Sequence, residues 1–444
     1  MKTFFKSIYI SNLLYFIVAG VVVFFVFGFF FPILYPIAKI TLLLIAGLIV
    51  TDIIILYSNK NGIFARRDTL DKLSNGDENP VQISIENNYL FPTRITIIDE
   101  LPFQFQARDK EFKTTLLSGK NKIIQYDVRP TKRGEYHFGA VNIYAKSPLG
   151  LIQKRFRFSQ DEMVPVYPSF MQMRKYELLA ISNRLTEIGV KRIRKIGNNA
   201  EFDQIKEYIS GDDYRTINWK ATARKNKLMV NQYQDEKAQQ VYSVIDMGRV
   251  MRMPFEGLSL LDYAINSSLV ISNIAMLKHD KAGIITFSHK VQSILGADRK
   301  GGHLNKILHL LYNQKTGYLE TDYENLYANI KTKINQRALL LLYTNFESLS
   351  GLQRQSRYLR RLAKDHLLVV IFFENTELKA FLDTPAKTTE EVYNKAIAEK
   401  FAYEKRLIVK ELEKYGIHSI LTAPENLSVN TINKYLELKA RGLI

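Results

Sequence analysis

The chain opens on two long apolar runs. No charged residue lies between Lys6 and Lys39, and Tyr9 to Phe31 is almost wholly apolar. At about 1.5 Å per residue such a run spans roughly 30 Å, the hydrocarbon thickness of a bilayer. Phe31-Pro32 and Tyr35-Pro36 interrupt the pattern, and a second apolar stretch follows from about Ile37 to Tyr57. The connection is too short for a folded domain, so residues 1–60 read as a transmembrane helical hairpin. A cleaved signal peptide fits less well, because its apolar region is usually about 7 to 15 residues long.

From about Val81 to Phe158 the period changes to two. "VQISIEN", "TRITIID", "IIQYDVRP", "YHFGAVNIYA" and "KRFRFS" alternate apolar and polar positions, with Pro, Gly and Asn at the breaks. That is the pattern of half-buried strands, and an antiparallel β-sandwich over 61–170 is expected. Beyond residue 240 the runs become continuously apolar: Gln240 to Asp246, Ala282 to Ser288, Ala338 to Phe346, Leu367 to Phe373 and His418 to Ala423. Helical patterns separate them, at Leu258 to Lys278, Asp322 to Lys333, Leu349 to Lys364 and Glu390 to Tyr415. Residues 240–444 therefore read as a Rossmann-like α/β domain with a mostly parallel sheet covered on both faces. Ligands of such folds sit beyond the carboxyl ends of the strands, here just after Asp246, Ser288, Asn345 and Glu374.

Charge refines this picture. Lys2 and Lys6 precede the first span, and Lys60, Arg66 and Arg67 follow the second, which by the positive-inside rule places both ends in the cytoplasm. The protein is then expected in the inner, cytoplasmic membrane. Lys39 can snorkel to the outer interface; Asp52, near the inner end of its helix, reads as a partly solvated or Lys-paired acid rather than a functional one. The net charge is +18, which predicts attraction to an anionic partner, with the lipid bilayer accounting for at least part of it. There are no cysteines, so thiolate metal sites, thiol catalysis and disulfides are excluded.

Between the two folded regions, residues 171–239 carry a basic run, Lys191, Arg192, Arg194 and Lys195, and the segment "GDDYRTINWKATAR" with the chain's one tryptophan. Asp212 and Asp213, with Glu207 or Asp235, could form an acid pair or a metal site. The structural reading is stronger. Gly211 and Asp212 read as a turn and Asp213 as the N-cap of a helix from Tyr214. Arg215 and Trp219, four apart, could stack, with Ala223 leaving room for close packing. Lys220 and Arg224 could reach Asp235 and Glu236. Every residue finds a place in a clasp.

The stretches "NGDENPVQISIEN", "IIDELP", "RPTKRGEYHFG", "SPLGL" and "VYPSF", followed by "EFDQIKEYISGDDYRTINWKATARKNKLMVNQYQDE" and "VYSVID", closely resemble the membrane-anchored proteins of the domain of unknown function 58 family. The resemblance implies a β-sandwich followed by a von Willebrand factor A-like domain, and a partnership with MoxR-type AAA+ ATPases. Domains of the latter type can hold Mg²⁺ through an Asp-x-Ser-x-Ser loop, a Thr and a later Asp, all hard oxygen donors. Here Asp246 remains, Gly248 and Val250 replace the two serines, Arg249 adds positive charge, Thr321 matches the Thr, and Asn345 stands at the later position. A tight Mg²⁺ site is not expected, and no cofactor is assigned. Asp246, Gly248, Arg249, Thr321 and Asn345 form a candidate partner-binding rim.

Other chemistry lacks its sequence hook. The seven histidines show no HExxH-like spacing, no G-x-S-x-G elbow occurs, and "GADRKGG" has Gly302 where a phosphate loop needs lysine. Arg354, Arg357 and Arg361 could line one helix face, but no nucleic-acid module accompanies them. No small-molecule substrate is indicated. The expectation is a non-enzymatic membrane-anchored scaffold or adaptor; a Mg-dependent receptor and an enzyme using Asp212 and Asp213 are the alternatives.

Overall fold

In the computed structural model, residues 6–106, 110–181, 200–212, 214–235, 238–386 and 388–444 are described. The chain divides into two compact units, Met1–Tyr167 and Pro168–Ile444.

In the first unit, α1 (Asn12–Phe30) packs on α2 (Leu34–Ser58). Both are long and apolar enough to cross a membrane. The second helix starts earlier than the prolines suggest. Pro36 falls in its first turn, where the missing N–H would have had no helical acceptor in any case. Gly28 is needed for the close approach, since a Cβ there would stand 3.3 Å from the Tyr35 backbone. Lys39 is exposed, its ammonium 4.6 Å from the centre of the Tyr35 ring.

The strands of this unit are β1 (Ile8–Ile10), β2 (Ile63–Asp68), β3 (Leu73–Ser74), β4 (Asn79–Asn87), β5 (Thr93–Asp99), β6 (Glu111–Leu116), β7 (Asn121–Val128), β8 (Gly134–Phe138), β9 (Val141–Lys146), β10 (Ile152–Phe158) and β11 (Glu162–Tyr167). One sheet is ordered β1-β10-β9-β5-β6 and a second β2-β4-β7, each antiparallel throughout. The two-residue period sets their facing sides: Val81, Ile83 and Ile85 of one sheet share a core with Ile95, Ile97, Ile143 and Ala145 of the other. A third sheet, β3-β11-β8, closes over Leu73, Tyr136, Phe138, Val164 and Val166.

Both ends of the helical pair are built into these sheets. Strand β1, just before α1, pairs with β10, and the Ser11 hydroxyl donates to the Gly150 carbonyl at 2.5 Å. Beside it, near the C-terminus of α2, the Asp52 carboxylate is fully buried and its Oδ2 accepts from the Ser147 hydroxyl (2.5 Å) and from the N–H groups of Leu151 (3.2 Å) and Ile152 (3.1 Å). Asp52 is thus neither solvated nor Lys-paired, contrary to the sequence reading. Its donors come from the loop before β10, which no local pattern could reveal. Lys154 nearby donates instead to the helix-end carbonyls of Leu56 (3.2 Å) and Asn59 (3.1 Å). Arg67 also differs from expectation. Its guanidinium lies inside the unit, 2.7 Å from Asp99 with both side chains fully buried, and the Tyr126 hydroxyl donates to the same carboxylate. It is therefore a core cation, while Arg66 stays at the surface.

The second unit begins with α3 (Phe170–Ile181) and a two-stranded hairpin of β12 (Ala200–Glu207) and β13 (Met229–Asp235), with α4 (Trp219–Lys225) in its connection. The main sheet follows: β14 (Gln240–Asp246), a short hairpin of β15 (Pro254–Phe255) and β16 (Leu258–Ser259), α5 (Leu260–Leu277), β17 (Lys281–Phe287), β18 (Val291–Asp298), α6 (His303–Tyr312), α7 (Tyr323–Lys333), β19 (Leu339–Tyr343), α8 (Leu349–Asp365), β20 (Leu367–Phe373), α9 (Thr376–Asp383), α10 (Thr389–Lys414), β21 (His418–Thr422) and α11 (Leu427–Ala440). Six strands are ordered β18-β17-β14-β19-β20-β21, all neighbours parallel except the β17–β18 edge pair. Alternate strand residues such as Val244, Leu342 and Phe372 meet Leu326 of α7, Leu359 of α8 and Ile408 of α10 on one face. On the other lies α5, whose apolar length would suit a membrane span but which is mostly buried, packed against β14, β17, α3 and α11.

The Asp52 lock generates a stability prediction. Asp52→Leu leaves three buried donors without their acceptor and should cost about 2–4 kcal/mol. That corresponds to a melting-temperature fall of roughly 5–10 °C, read by thermal unfolding of the full chain in nanodiscs. Ser147→Ala removes one donor and should cost about 1 kcal/mol.

Candidate functional site

At the carboxyl end of the central strand β14, Asp246 is buried with 1% of its surface exposed. A buried carboxylate must find donors, and three converge on it. Oδ1 accepts from the Thr321 hydroxyl (2.7 Å) and the Gly248 N–H (2.8 Å), and Oδ2 from the Thr344 hydroxyl (2.7 Å). The Tyr323 and Thr344 hydroxyls bond at 2.8 Å, extending the network to α7. Burial pushes the Asp246 carboxyl above its usual range, while the hydrogen bonds from Thr321, Gly248 and Thr344 pull it back.

Gly248 serves space rather than backbone freedom, for its φ is an ordinary −70°. A Cβ there would stand 2.1 Å from Thr321 Oγ1 and 3.0 Å from Asp246 Oδ1. The volume of a serine side chain is thus already filled by Thr321. Mg²⁺ demands near-octahedral oxygen donors, preferably more than one of them anionic. The single carboxylate here is already committed to three donors, and no group of three or more His, Cys, Asp or Glu is arranged to hold a metal ion among the described residues. The donor set fits Mg²⁺ poorly. Arg249 stands at the rim, exposed and 3.7 Å from Glu320, a pairing of little energetic weight.

Asn345 does not join this network. Successive residues of an extended chain point to opposite sides, so Thr344 and Asn345 part at the end of β19. Thr344 turns to Asp246, whereas the Asn345 Oδ1 accepts from the Lys405 ammonium at 2.7 Å. The polar pair Thr344-Asn345 was visible in the sequence, but the partner of each was not; Tyr323 and Lys405 gave no signal.

The tryptophan-bearing segment forms the connection of the β12–β13 hairpin. Gly211 adopts φ +114° in a turn closed by Asp212 N–H to the Ile209 carbonyl (3.0 Å). Asp212 accepts from the Ile209 N–H (3.1 Å) and from Lys206 (2.9 Å), which hold its carboxyl below the usual range. After a tight turn at Tyr214–Thr216, Asn218 caps α4 through the Ala221 N–H (3.0 Å). The Met229 N–H donates to the Thr222 hydroxyl (3.0 Å) and ties the helix to β13.

The stretch from this hairpin through β20 into α9 carries a family match. Residues 204–380 match the family described as "Protein of unknown function DUF58". Over that stretch the chain is similar to DUF58 proteins. It is 26% identical over 199 residues to "Uncharacterized protein YeaD" of Bacillus subtilis (strain 168), a match covering 43% of this chain and 49% of that protein. The chain thus spans about half the length of that curated relative. Among solved structures, the CARDB domain of the PF1109 protein from Pyrococcus furiosus aligns at 12% identity, covering 23% of this chain and 86% of that one with a TM-score of 0.18. A PapD-like domain of human CEP192 gives 12% identity, 24% and 83% coverage and a TM-score of 0.18. Proximal thread matrix protein 1 from the mussel byssus gives 12%, 46% of each chain and 0.27.

In and around the matched stretch several expected contacts are corrected. A helical turn does begin at Tyr214 but ends at Thr216, and a separate helix starts at Trp219 with Asn218 as its cap; Asp213 and Glu236 lie outside the described residues, as does the basic run at 191, 192, 194 and 195. Arg215 belongs to the preceding turn, with its guanidinium 5.7 Å from the centre of the Tyr214 ring. Trp219 is 71% exposed, and Lys220, Ala223 and Arg224 are exposed beside it. Glu207 pairs with Lys227 at 3.0 Å on the surface. Asp212, Asn218 and Thr222 do the fastening; the aromatic and cationic side chains face outward.

The Asp246 network makes the Gly248 site testable. Gly248→Ala should cost about 1–3 kcal/mol by overpacking against Thr321. In a Thr321→Ala background the same change should cost less than half as much, a coupling that a double-mutant cycle of thermal unfolding would read.

Proposed function

We propose that this chain is a non-enzymatic scaffold or adaptor, held at the cytoplasmic membrane by its two N-terminal helices with both termini in the cytoplasm. Its C-terminal unit would act as a von Willebrand factor A-like docking domain for a MoxR-type AAA+ ATPase, in protein-complex assembly or envelope-linked maturation. The ATPase partner rests on the family resemblance. The membrane side rests on Lys6, Lys60 and Arg66 at the ends of the two helices, together with the entry of both ends into one set of sheets.

The observation that carries the docking reading is the outward face of the tryptophan-bearing segment. Tyr214 (69% exposed) and Trp219 (71% exposed) stand in solvent together with Lys220 and Arg224. Large aromatics and arginine are enriched at protein interfaces, where their area is recovered on binding. A clasp or a catalytic cluster would bury them. Docking in this account needs no bound metal, because the Asp246 cluster is closed on its own hydroxyl and amide donors.

The test is retention of an AAA+ ATPase by the full chain under ATP-trapping conditions. Native protein should retain it. Trp219→Ala with Lys220→Glu and Arg224→Glu should reduce retention by about tenfold or more with an unchanged melting temperature, as loss of an exposed hot spot would. Equal retention by the variant, or none by the native chain, contradicts the reading.

A further inference from the structure

A cavity of about 580 Å³ opens beyond the carboxyl ends of β19, β20 and β21, within the usual range for ligand sites of roughly 300–1,000 Å³. Its walls are mainly apolar: Phe255, Leu260, Phe373, Leu382, Phe401 and Leu421 come from the short β15–β16 hairpin, the start of α5, the sheet ends, α9 and α10. Two lysines line it, Lys379 exposed and Lys405 half-buried. Lys405 of α10 lines the cavity, and its nitrogen donates to Asn345 Oδ1 at 2.7 Å and to the Phe373 carbonyl at 2.8 Å. Those two bonds and the bond to Cε take three tetrahedral directions on the nitrogen. The fourth is left for a molecule in the cavity. The other charged groups of the lining are Glu347, Glu374 and Glu377 against Lys379 and Arg406, so with Lys405 as the neutral amine the wall disfavours an anionic ligand.

We propose that this cavity is a reversible covalent binding site for a neutral aldehyde or ketone with an apolar chain, captured as an imine on Lys405. With both N–H bonds of the neutral amine committed to Asn345 and Phe373, its lone pair takes the fourth direction and attacks the carbonyl carbon. The C–N bond forms, the π pair moves to oxygen, and a proton passes from nitrogen to that oxygen. Glu347 and Glu374, whose charges act on Lys405, can carry it. The remaining N–H proton passes to the hydroxyl, which leaves as water as the nitrogen lone pair closes the C=N bond; no oxidant or reductant is consumed. Burial also lowers the Lys405 ammonium to about 8, against the opposing pull of Glu347 and Glu374, so the free amine is available near neutral pH. This inference is independent of the ATPase partnership, for it concerns a different face and a different class of ligand.

The probe is octanal with cyanoborohydride, applied to the full chain in phosphatidylcholine nanodiscs and read by peptide mass spectrometry of the reduced adduct at each lysine. At pH 7.5 the Lys405 adduct should form about tenfold or more faster than those at exposed lysines such as Lys410, with a rate that rises through a midpoint near pH 8 rather than near 10.5. Leu382→Trp, which narrows the cavity and keeps the lysine, should cut the Lys405 adduct at least fivefold while leaving other lysines unchanged. Labelling of Lys405 no faster than exposed lysines, or labelling indifferent to Leu382→Trp, overturns the proposal.

Discussion

The second unit is organised around one buried carboxylate. Asp246 ends the central strand β14, where burial would be costly without donors, and the donors come from three separate parts of the chain: Gly248 next in line, Thr321 before α7 and Thr344 after β19. Meeting that requirement fixes the loops at the sheet's carboxyl edge relative to one another. It also excludes a side chain at 248, because Thr321 fills the space. What surrounds the edge then follows: Arg249 is left outward, and Asn345, turned away from Thr344, becomes the acceptor that holds Lys405 over the cavity.

A comparable requirement shapes the first unit. Asp52 in α2 finds its donors on Ser147, Leu151 and Ile152, so the C-terminal part of this apolar helix is hydrogen-bonded to a sheet rather than merely tethered to it. Strand β1, just before α1, pairs with the same part of β10. The hairpin and the sheets form one unit because polar groups of each satisfy the other.

The elements themselves were legible, since period and length are local properties. The two apolar helices, the alternating strands from Val81 to Phe158 and the five parallel strands after residue 240 all stand where the pattern put them. Short or amphipathic pieces escaped: β1 has three residues and depends on β10, and β18 is a polar edge strand whose alternation is weak. The site was legible only in part. Asp246 and Thr321 could be placed together through a resemblance, but Thr344 and Lys405 act through contacts 98 and 60 residues away, which spacing does not encode. The tryptophan segment failed for a different reason. Its residue types suit packing as well as exposure, and only the Asn218 cap, which shifts the helix start, decides which face points outward.

At the sheet edge the central constraint is that Asp246 is satisfied by hydroxyl and amide donors of the chain itself, with no bound metal required. The most direct measurement is thermal unfolding of the full chain in nanodiscs with 10 mM Mg²⁺ against EDTA, for native protein and Asp246→Ala. A site filled at about 100 times its dissociation constant would add about 2.7 kcal/mol, several degrees in melting temperature. The account predicts no Mg²⁺-specific shift that depends on Asp246. A rise of several degrees, lost in Asp246→Ala, would contradict it.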